Sequence, residues 1–285
     1  MQDRLDPLIA ERAPWLFEAG ALPGLARRVL TPLLGYPRTV ALGTELAPLS
    51  SGEIMATMAE RLARDLTVRG LDNLPRRGPA LVVANHPTGI ADGIMLHAAL
   101  SERRKDLFYF ANSDILRVLP QMEAVIAPVE WRREKRSMTK TRETMAYTRR
   151  AIAEGRLGVI FPSGRLAKRR GLRLFERPWM ASAAMMSRKF DLPVIPLHIE
   201  ARNSALFYLF DLMHPTLRDI TLFHETLNKA RQPYRLTVGA PISAAALPAR
   251  SEDGIEMLRR VTLALGGPAA PAVSLIDTTR RPSWA

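Results

Sequence analysis

Residues 82–93 read VVANHPTGIADG, and this stretch decides both the fold class and the candidate site. The run before Asn85 is wholly apolar, which is typical of a strand buried on both faces. The Pro-Thr-Gly of residues 87–89 then turns the chain, and a helical pattern follows. His86 is therefore expected at the carboxyl end of a strand and Asp92 in the first turn of the next helix. In an open α/β sheet, ligands bind at that edge.

His86 and Asp92 have the chemistry of a general base and its orienting carboxylate. The turn can bring Asp92 onto one imidazole nitrogen, which leaves the other nitrogen free to take a proton from a hydroxyl. The aspartate then fixes the tautomer and stabilises the imidazolium that forms. A histidine and an aspartate at this spacing also occur in ordinary loops, so this motif alone leaves both interpretations open.

The composition is that of a globular protein with one large core. The chain has 285 residues, of which 47% are hydrophobic and 24% charged. It has no cysteine, which excludes disulfides, thiolate metal sites and cysteine nucleophiles and fits a reducing compartment. The first 17 residues contain no apolar core of a signal peptide, and no stretch approaches the length of a membrane-spanning helix. We therefore predict neither a signal peptide nor a transmembrane helix.

The charge of the chain favours an anionic partner. The formal net charge is +13 and the isoelectric point about 10.9, which suits nucleic acid, anionic lipid or an acidic substrate. The sequence lacks zinc-finger spacing and a glycine-aromatic RNA-binding run, and it has only five tyrosines and four tryptophans. No nucleic-acid partner is expected, and an anionic membrane surface or an acidic substrate fits better.

Short apolar runs alternate with helical patterns along the chain. The strand candidates are 66–69, 80–84, 107–111, 123–128, 157–161, 193–199 and 234–239. The helix candidates between them are 90–101, 113–119, 138–154, 177–190 and 254–265. This alternation predicts a single α/β domain with a mixed, largely parallel sheet flanked by helices.

A helical segment precedes this domain. We assign residues 1–65 to an N-terminal helical segment, 66–266 to the α/β domain and 267–285 to a flexible tail. Ser50 and Glu53 form a capping-box pattern at the start of one helix. The earlier helices mix leucines with arginines and are broken by proline. They are equally typical of a membrane-interfacial segment and of a core-packing pair.

Two further strand ends carry basic residues. The stretch LGVIFPSGR, residues 157–165, ends in Ser163, Gly164 and Arg165, where backbone N–H groups and a guanidinium can seat an anion. The stretch VIAPVEWRR, residues 125–133, ends in Arg132 and Arg133. By themselves, the first is more typical of a solvated basic turn and the second of a surface arginine pair. His198, within the apolar run 193–199, is interpreted as a packed histidine rather than a second base.

Taken together, these motifs resemble the phospholipid/glycerol acyltransferase family, the PlsC-like proteins. LVVANHPTGIADG is similar to that family's first block, VIAPVEWRR to its second, VIFPSGR to its third and LPVIPLHI to its fourth. The four blocks cover roughly residues 68 to 200, in the family's order. Residues 200–229 resemble the subgroup of lyso-ornithine-lipid and hemolysin-like acyltransferases.

Two departures from the family pattern stand out. Five residues separate His86 from Asp92, where four are commonest, although some branches use five. The third block commonly reads Phe-Pro-Glu-Gly-Thr-Arg, whereas here Ser163 replaces the glutamate and Arg165 stands one place early. The second departure leaves the acceptor open, because this block is implicated in binding the acceptor's phosphate.

The resemblance implies a direct acyl transfer. His86 would deprotonate the acceptor hydroxyl, Asp92 would orient His86, and Arg132, Arg133 and the Ser163-Gly164-Arg165 turn would hold the acceptor's anionic head. The donor would be acyl-CoA or acyl-carrier protein, with no cofactor and no metal. The absence of a Gly-x-Ser-x-Gly elbow agrees with transfer without an acyl-enzyme. The enzyme would work peripherally at the cytoplasmic face of the inner membrane.

Several functions stay open at this point. The leading acceptor is a lysophospholipid such as 1-acyl-glycerol 3-phosphate, and the alternative acceptor is a lyso-ornithine lipid. A protein that binds nucleic acid or a membrane surface without catalysis is the alternative of another class. Retention of both His86 and Asp92 favours an enzyme over a silent module.

Overall fold

The computed structural model describes residues 1–130, 137–267 and 272–274, and a seven-stranded sheet lies at its centre. The strands of this sheet are β1 (Leu66–Arg69), β2 (Ala80–Ala84), β3 (Leu107–Asn112), β4 (Ile126–Val129), β5 (Leu157–Ile160), β8 (Val194–Glu200) and β9 (Tyr234–Val238), and β6 (Lys168–Arg170), β7 (Arg173–Phe175) and β10 (Ala272–Ser274) form a second, small sheet. Across the large sheet the order is β1-β9-β8-β2-β5-β3-β4.

Five neighbouring strands of the large sheet run in the same direction. β8, β2, β5, β3 and β4 pair in parallel, β9 runs antiparallel to β8, and β1 is parallel to β9. The sheet is therefore mixed and largely parallel, and the prediction of the fold class is confirmed. Because the five parallel strands end on one side, the loops after β2, β4 and β5 meet at a single edge.

Helices cover both faces of this sheet. Their bounds are α1 (Gln2–Arg12), α2 (Ala21–Leu33), α3 (Tyr36–Leu46), α4 (Ser51–Leu62), α5 (Ile90–Leu100), α6 (Asp114–Val118), α7 (Met138–Ala153), α8 (Ser182–Phe190), α9 (Ala205–Met213), α10 (Pro215–Ile220), α11 (Leu222–Asn228) and α12 (Ser251–Ala264). The predicted capping box is present, since Ser50 accepts from the Glu53 amide and the Glu53 carboxylate accepts from the Ser50 amide.

The central strand β2 shows why its sequence is apolar throughout. All five of its residues are buried. Ala80, Val82 and Ala84 pack into a core shared with the N-terminal helices, whereas Leu81 and Val83 pack into a second core with α8 and α12. Side chains alternate between the two faces of a strand, so a strand covered by helices on both faces has no polar position.

The N-terminal helices divide between the two roles that their sequence left open. α1 and α4 bury apolar residues, among them Leu5 and Ile54, in the same core as the sheet. α2 buries none of its residues, and its Leu22 is 79% exposed. None of the helices within the described residues combines the length and the apolar character needed to cross a membrane.

The structure corrects several predicted boundaries. The strand expected at 123–128 begins only at Ile126, because a 3₁₀ turn that starts at Pro120 occupies the residues before it. The helix expected at 177–190 begins at Ser182. The small sheet was not predicted, and its strand β10 lies within the predicted tail and pairs with β7. α9, α10 and α11 were also not predicted.

Candidate active site

Asn85 positions the loop after β2. Its side chain is buried, donates a hydrogen bond to the carbonyl of Ile199 at 2.8 Å and accepts one from the Ile199 amide at 2.7 Å. The amide side chain thus replaces a backbone partner where β2 has ended, and it ties the loop to β8. His86 follows directly, at the carboxyl edge of the parallel strands, and its ring stacks on Phe161 at a centroid distance of 4.3 Å.

The structure brings His86 and Asp92 into direct contact. His86 Nδ1 lies 2.9 Å from Asp92 Oδ2, and the side chains are 18% and 0% exposed. Because Nδ1 is engaged by the carboxylate, Nε2 is the ring nitrogen left to accept a proton. The spacing of five intervening residues therefore gives the geometry of a general base with its orienting carboxylate.

Asp92 is surrounded by hydrogen-bond donors from its own turn. Its carboxylate accepts from the Thr88 amide at 2.9 Å, the Thr88 hydroxyl at 2.6 Å and the Gly89 amide at 3.1 Å, besides His86. Gly89 has a φ of +104°, a conformation that favours glycine, and this turn aims both amides at the carboxylate. These donors satisfy the hydrogen-bonding capacity of a carboxylate that is buried away from water.

A second layer of buried polar side chains supports this turn. The Tyr234 hydroxyl contacts Thr88 Oγ1 and lies 3.4 Å from Asp92 Oδ1. Asn203 donates to the Thr88 carbonyl, and the fully buried Lys229 donates to Asn203 Oδ1 at 2.7 Å. Burial lowers the pKa of Lys229 to about 8, against an opposing effect of Glu225. No sequence motif marked these residues, because they come from segments far apart in the chain.

The predicted anion-binding turn lies beside His86. Gly164 adopts a φ of +58°, and its amide bonds the Phe161 carbonyl at 2.9 Å. Ser163 is buried and donates to the Arg165 carbonyl at 2.8 Å, so its hydroxyl closes the turn. Arg165 is exposed and lines the same cavity as His86. The substrate-binding role of this turn stays a prediction.

Glu176 is a buried residue of the site that the sequence did not indicate. Its Oε2 accepts a hydrogen bond from the His86 amide at 3.2 Å, and its Oε1 accepts one from Trp179 Nε1 at 2.9 Å. Burial raises the pKa of Glu176, and the hydrogen bonds from Trp179 and His86 oppose this effect. The site thus contains two buried carboxylates, one on the ring of His86 and one on its main chain.

A large cavity opens next to His86. Its volume is about 1400 Å³. Apolar side chains from the N-terminal helices, α5 and the sheet form much of its wall, among them Leu5, Leu8, Leu46, Met55, Met58, Ile94 and Ile126. A cavity of this size and lining accommodates a long apolar chain.

Arginines line another part of the cavity. Arg218 pairs with Asp211 at 3.2 Å and with Asp219 at 2.7 Å. Arg165 and Arg177 have no carboxylate partner among the described residues, and Arg177 Nε donates to the Leu166 carbonyl at 2.9 Å. Burial and the positive charges of Arg165 and Arg218 lower the pKa of Arg177. Unpaired guanidiniums beside an apolar cavity favour a ligand with an anionic group.

The remaining predicted residues fall into two groups. Arg132 and Arg133 lie outside the described residues, so their predicted role stays a prediction. His198 is buried in β8, and burial lowers its pKa to about 4, as suits a packed histidine. Within the part of the chain described, no cluster of three or more histidine or acidic side chains is arranged to hold a metal ion.

Fold and site together define a class of protein. A base oriented by a buried aspartate, at the carboxyl edge of a largely parallel sheet and beside an apolar cavity with free arginines, is suited to activating a hydroxyl near an amphipathic anion. Residues 65–200 match the family described as Acyltransferase. Over these residues, just under half of the chain, the sequence matches the PlsC-like acyltransferase family, and the protein is an acyltransferase of lipid metabolism.

Two curated relatives and one solved structure resemble the chain. The lyso-glycine lipid O-acyltransferase of Phocaeicola vulgatus is 25% identical over 67% of this chain and 68% of its own length. The enzyme of the same name from Bacteroides thetaiotaomicron is 22% identical over 55% of this chain and 56% of its own length. The crystal structure of the 1-acyl-sn-glycerophosphate (LPA) acyltransferase PlsC from Thermotoga maritima superposes with a TM-score of 0.53, covering 87% of this chain and 98% of that one. At 14% identity, that likeness concerns the fold.

Proposed function

We propose that this enzyme transfers a fatty acyl group from a thioester, acyl-CoA or acyl-carrier protein, to the hydroxyl of a lysolipid. One observation carries the proposal: the His86–Asp92 pair, 2.9 Å apart, adjoins a cavity with an apolar wall and unpaired arginines. The apolar wall suits acyl chains, and the arginines suit an anionic head group. His86 lines the same cavity as both, so an acceptor bound there can bring its hydroxyl to the base.

In the proposed reaction, His86 Nε2 removes the proton of the acceptor hydroxyl while the oxygen attacks the thioester carbonyl. The tetrahedral intermediate then collapses, the carbon–sulfur bond breaks, and the imidazolium returns its proton to the departing thiolate. Asp92 holds the ring and stabilises the imidazolium between the two steps. Every step uses groups of this chain and its two substrates.

The acceptor's anionic head would contact Arg165 and Arg177. A guanidinium binds phosphate and carboxylate with two parallel hydrogen bonds, so both a phospholipid and an amino-acid lipid fit this part of the cavity. The first candidate is a lysophospholipid of the 1-acyl-glycerol 3-phosphate kind. The second is a lyso-amino-acid lipid, such as lyso-ornithine lipid, which the names of the two relatives favour.

We further propose that the enzyme works on an anionic membrane surface. α2 exposes Leu22, Leu25, Val29 and Leu33, and α9 exposes Leu209, Leu212 and Met213. The inner faces of these two helices share one apolar cluster. Arg27 and Arg28 on α2 add positive charge. The acyl donors are cytosolic, which favours peripheral association with the cytoplasmic face of the inner membrane.

An acceptor panel tests the proposed reaction. The purified protein is offered glycerol 3-phosphate, 1-acyl-glycerol 3-phosphate, lyso-ornithine lipid and lyso-glycine lipid, each with acyl-CoA and with acyl-carrier protein. We expect product on one lysolipid, and Arg165→Ala and Arg177→Ala should each raise the KM for that acceptor by about tenfold or more. Arg149→Ala, on an exposed position of α7, serves as the control. Absence of product on every acceptor would contradict the proposal.

Vesicle flotation tests the membrane surface separately from turnover. We expect binding to vesicles that contain an anionic phospholipid, and weaker binding by Leu22→Glu/Leu25→Glu and by Leu209→Glu/Leu212→Glu. Met138→Glu on α7, a residue that is 71% exposed, is the matched control. Equal binding by all three variants would remove α2 and α9 from the docking surface.

A further inference from the structure

Glu176 is a buried acidic residue to which the proposed reaction assigns no step. It is 7% exposed and directly follows β7, the second strand of the small hairpin. Burying a carboxylate without hydrogen-bond donors costs free energy, so the groups that donate to Glu176 indicate its role. Those partners are the main chain of His86 and the indole of Trp179.

The segment around Glu176 is fixed from a second direction. Arg259 of α12 donates to the Glu176 carbonyl at 3.2 Å. Trp179 is itself buried in the core with α8 and α12. Through this carboxylate the His86 amide is joined to the core formed with α8 and α12. The carbonyl of His86 accepts from the Ala167 amide at 2.9 Å, so Glu176 and Ala167 together hold the main chain of the base.

Glu176 also lies next to the turn that departs from the family pattern. The Ser163 hydroxyl donates to the Arg165 carbonyl, yet it is close enough to Glu176 to oppose the raised pKa of that carboxyl. A protonated His86 acts in the same direction. The Glu176 carboxyl thus lies beside both the main chain of the base and the turn where the third block commonly carries glutamate and this chain carries Ser163.

We infer that Glu176 is a positioning residue for His86 and supplies, from 13 positions further along the chain, the carboxylate that position 163 lacks. It holds the main chain of His86 in place for proton transfer, and its charge favours the imidazolium that forms. This inference rests on the proposed function, since it assigns Glu176 to that same reaction. Ser163 leaves room for the relocated carboxylate because its side chain is short.

The test compares Glu176→Gln with the wild type. Glutamine keeps the size and one acceptor oxygen but removes the charge, so we expect kcat to fall about 10- to 100-fold, as for the loss of a charged hydrogen bond. The KM for the acceptor should change less than about twofold, because Glu176 does not line the cavity. The melting temperature should stay within a few degrees. Glu252→Gln, on an exposed residue of α12, is the matched control.

A relocation variant distinguishes positioning from packing. Ser163→Glu is added to Glu176→Gln, which returns a carboxylate to the place where the family carries it. We expect this double variant to recover at least about tenfold of the lost kcat. If Glu176 only filled space in the core, a carboxylate at position 163 would not restore kcat. Lack of recovery would contradict the shared role of the two positions.

Amide hydrogen exchange measures the contact between Glu176 and the His86 amide without an activity assay. The peptide containing His86 should exchange faster in Glu176→Ala than in the wild type, because the His86 amide loses its acceptor. An unchanged exchange rate, or a Glu176→Gln enzyme with wild-type kcat, would overturn the inference. A wild type that acylates no acceptor would instead overturn the proposed function, and the exchange result would then stand by itself.

Discussion

Two carboxylates support His86, and the two supports differ in kind. Its ring contacts Asp92, which accepts three further hydrogen bonds from Thr88 and Gly89 within its own turn. Its main chain contacts Glu176, which is distant in the chain, also accepts from Trp179 three residues further on and has a pKa raised by burial. The first support is local and rich in donors, whereas the second is assembled from distant segments and has fewer donors.

This difference shows how the site divides its work. A carboxylate surrounded by donors keeps its charge and can orient an imidazole through the whole reaction. A carboxylate with fewer donors depends more on the positive charge of its neighbours. The ring-side support should therefore govern the chemistry, and the main-chain support should tune it. The variants below test that ranking, from the largest expected effect to the smallest.

Asp92→Asn should have the largest effect, because an amide cannot hold the reactive tautomer of His86. We expect kcat to fall by about 10⁴-fold, the size known for a base that loses its orienting aspartate. The side-chain volume is unchanged, so thermal unfolding should show a folded protein. A loss smaller than about tenfold would place the orienting function elsewhere.

Thr88→Val removes a hydroxyl that donates to Asp92 at 2.6 Å and contacts Tyr234. We expect kcat to fall about 10- to 100-fold and the free energy of unfolding to fall by roughly 1–3 kcal/mol, because Asp92 loses a buried donor. Thr88→Ser, which keeps the hydroxyl, is the control and should retain most activity. A Thr88→Val enzyme with wild-type kcat would contradict a role for the hydroxyl.

Tyr234→Phe changes a residue that lies further from His86 than Thr88 does. The ring stays in the core, and only the hydroxyl that meets Thr88 is lost. We expect kcat to fall about two- to tenfold, the effect of one neutral hydrogen bond in the second layer. Steady-state kinetics at saturating acceptor measures this. A loss as large as that of Asp92→Asn would mean that Tyr234 acts directly in the reaction.

His198 provides a comparison with His86, because neither Asp92 nor Glu176 contacts this histidine. Burial lowers its pKa to about 4, below the unfolded value of about 6.5, so the folded state favours the neutral ring. Its contribution to stability is present above pH 6.5 and is lost as the pH falls towards 4, by roughly 3 kcal/mol in total.

Urea unfolding of the wild type and of His198→Gln between pH 7 and pH 4 measures this contribution as the difference between the two pH slopes. We expect a flatter slope in the variant and a kcat at pH 7 within about twofold of the wild type, because His198 does not line the cavity. Parallel slopes would mean that a different group is responsible for the acid sensitivity.

Contacts between residues close in the chain could be predicted from the sequence, whereas contacts between distant residues could not. The apolar run of β2, the turn with Gly89 and the pairing of His86 with Asp92 lie within a dozen residues, so periodicity and spacing predict them. Glu176 and Tyr234 reach His86 and Thr88 only through the order of the strands, and no local pattern encodes that order. The sequence therefore did not reveal that Glu176 and Tyr234 are buried beside the site.

The unpredicted elements have a related cause. The strands of the β6–β7 hairpin are three residues long and rich in lysine and arginine, so they show neither a strand pattern nor an apolar face. α9 is apolar on most of its surface, and its exposed leucines hide the helical period. The limits 1–65, 66–266 and 267–285 stay predictions, although the apolar residues of α1 and α4 join the core of the sheet.

The most direct test of the central claim is acyl transfer by the wild type beside His86→Ala, with the best lysolipid acceptor and a saturating thioester donor. If His86 is the base, turnover should fall by at least about 10⁴-fold, no less than in Asp92→Asn, while the melting temperature stays nearly unchanged. A folded His86→Ala enzyme that keeps more than about a tenth of the wild-type kcat would contradict the assignment of His86 as the base.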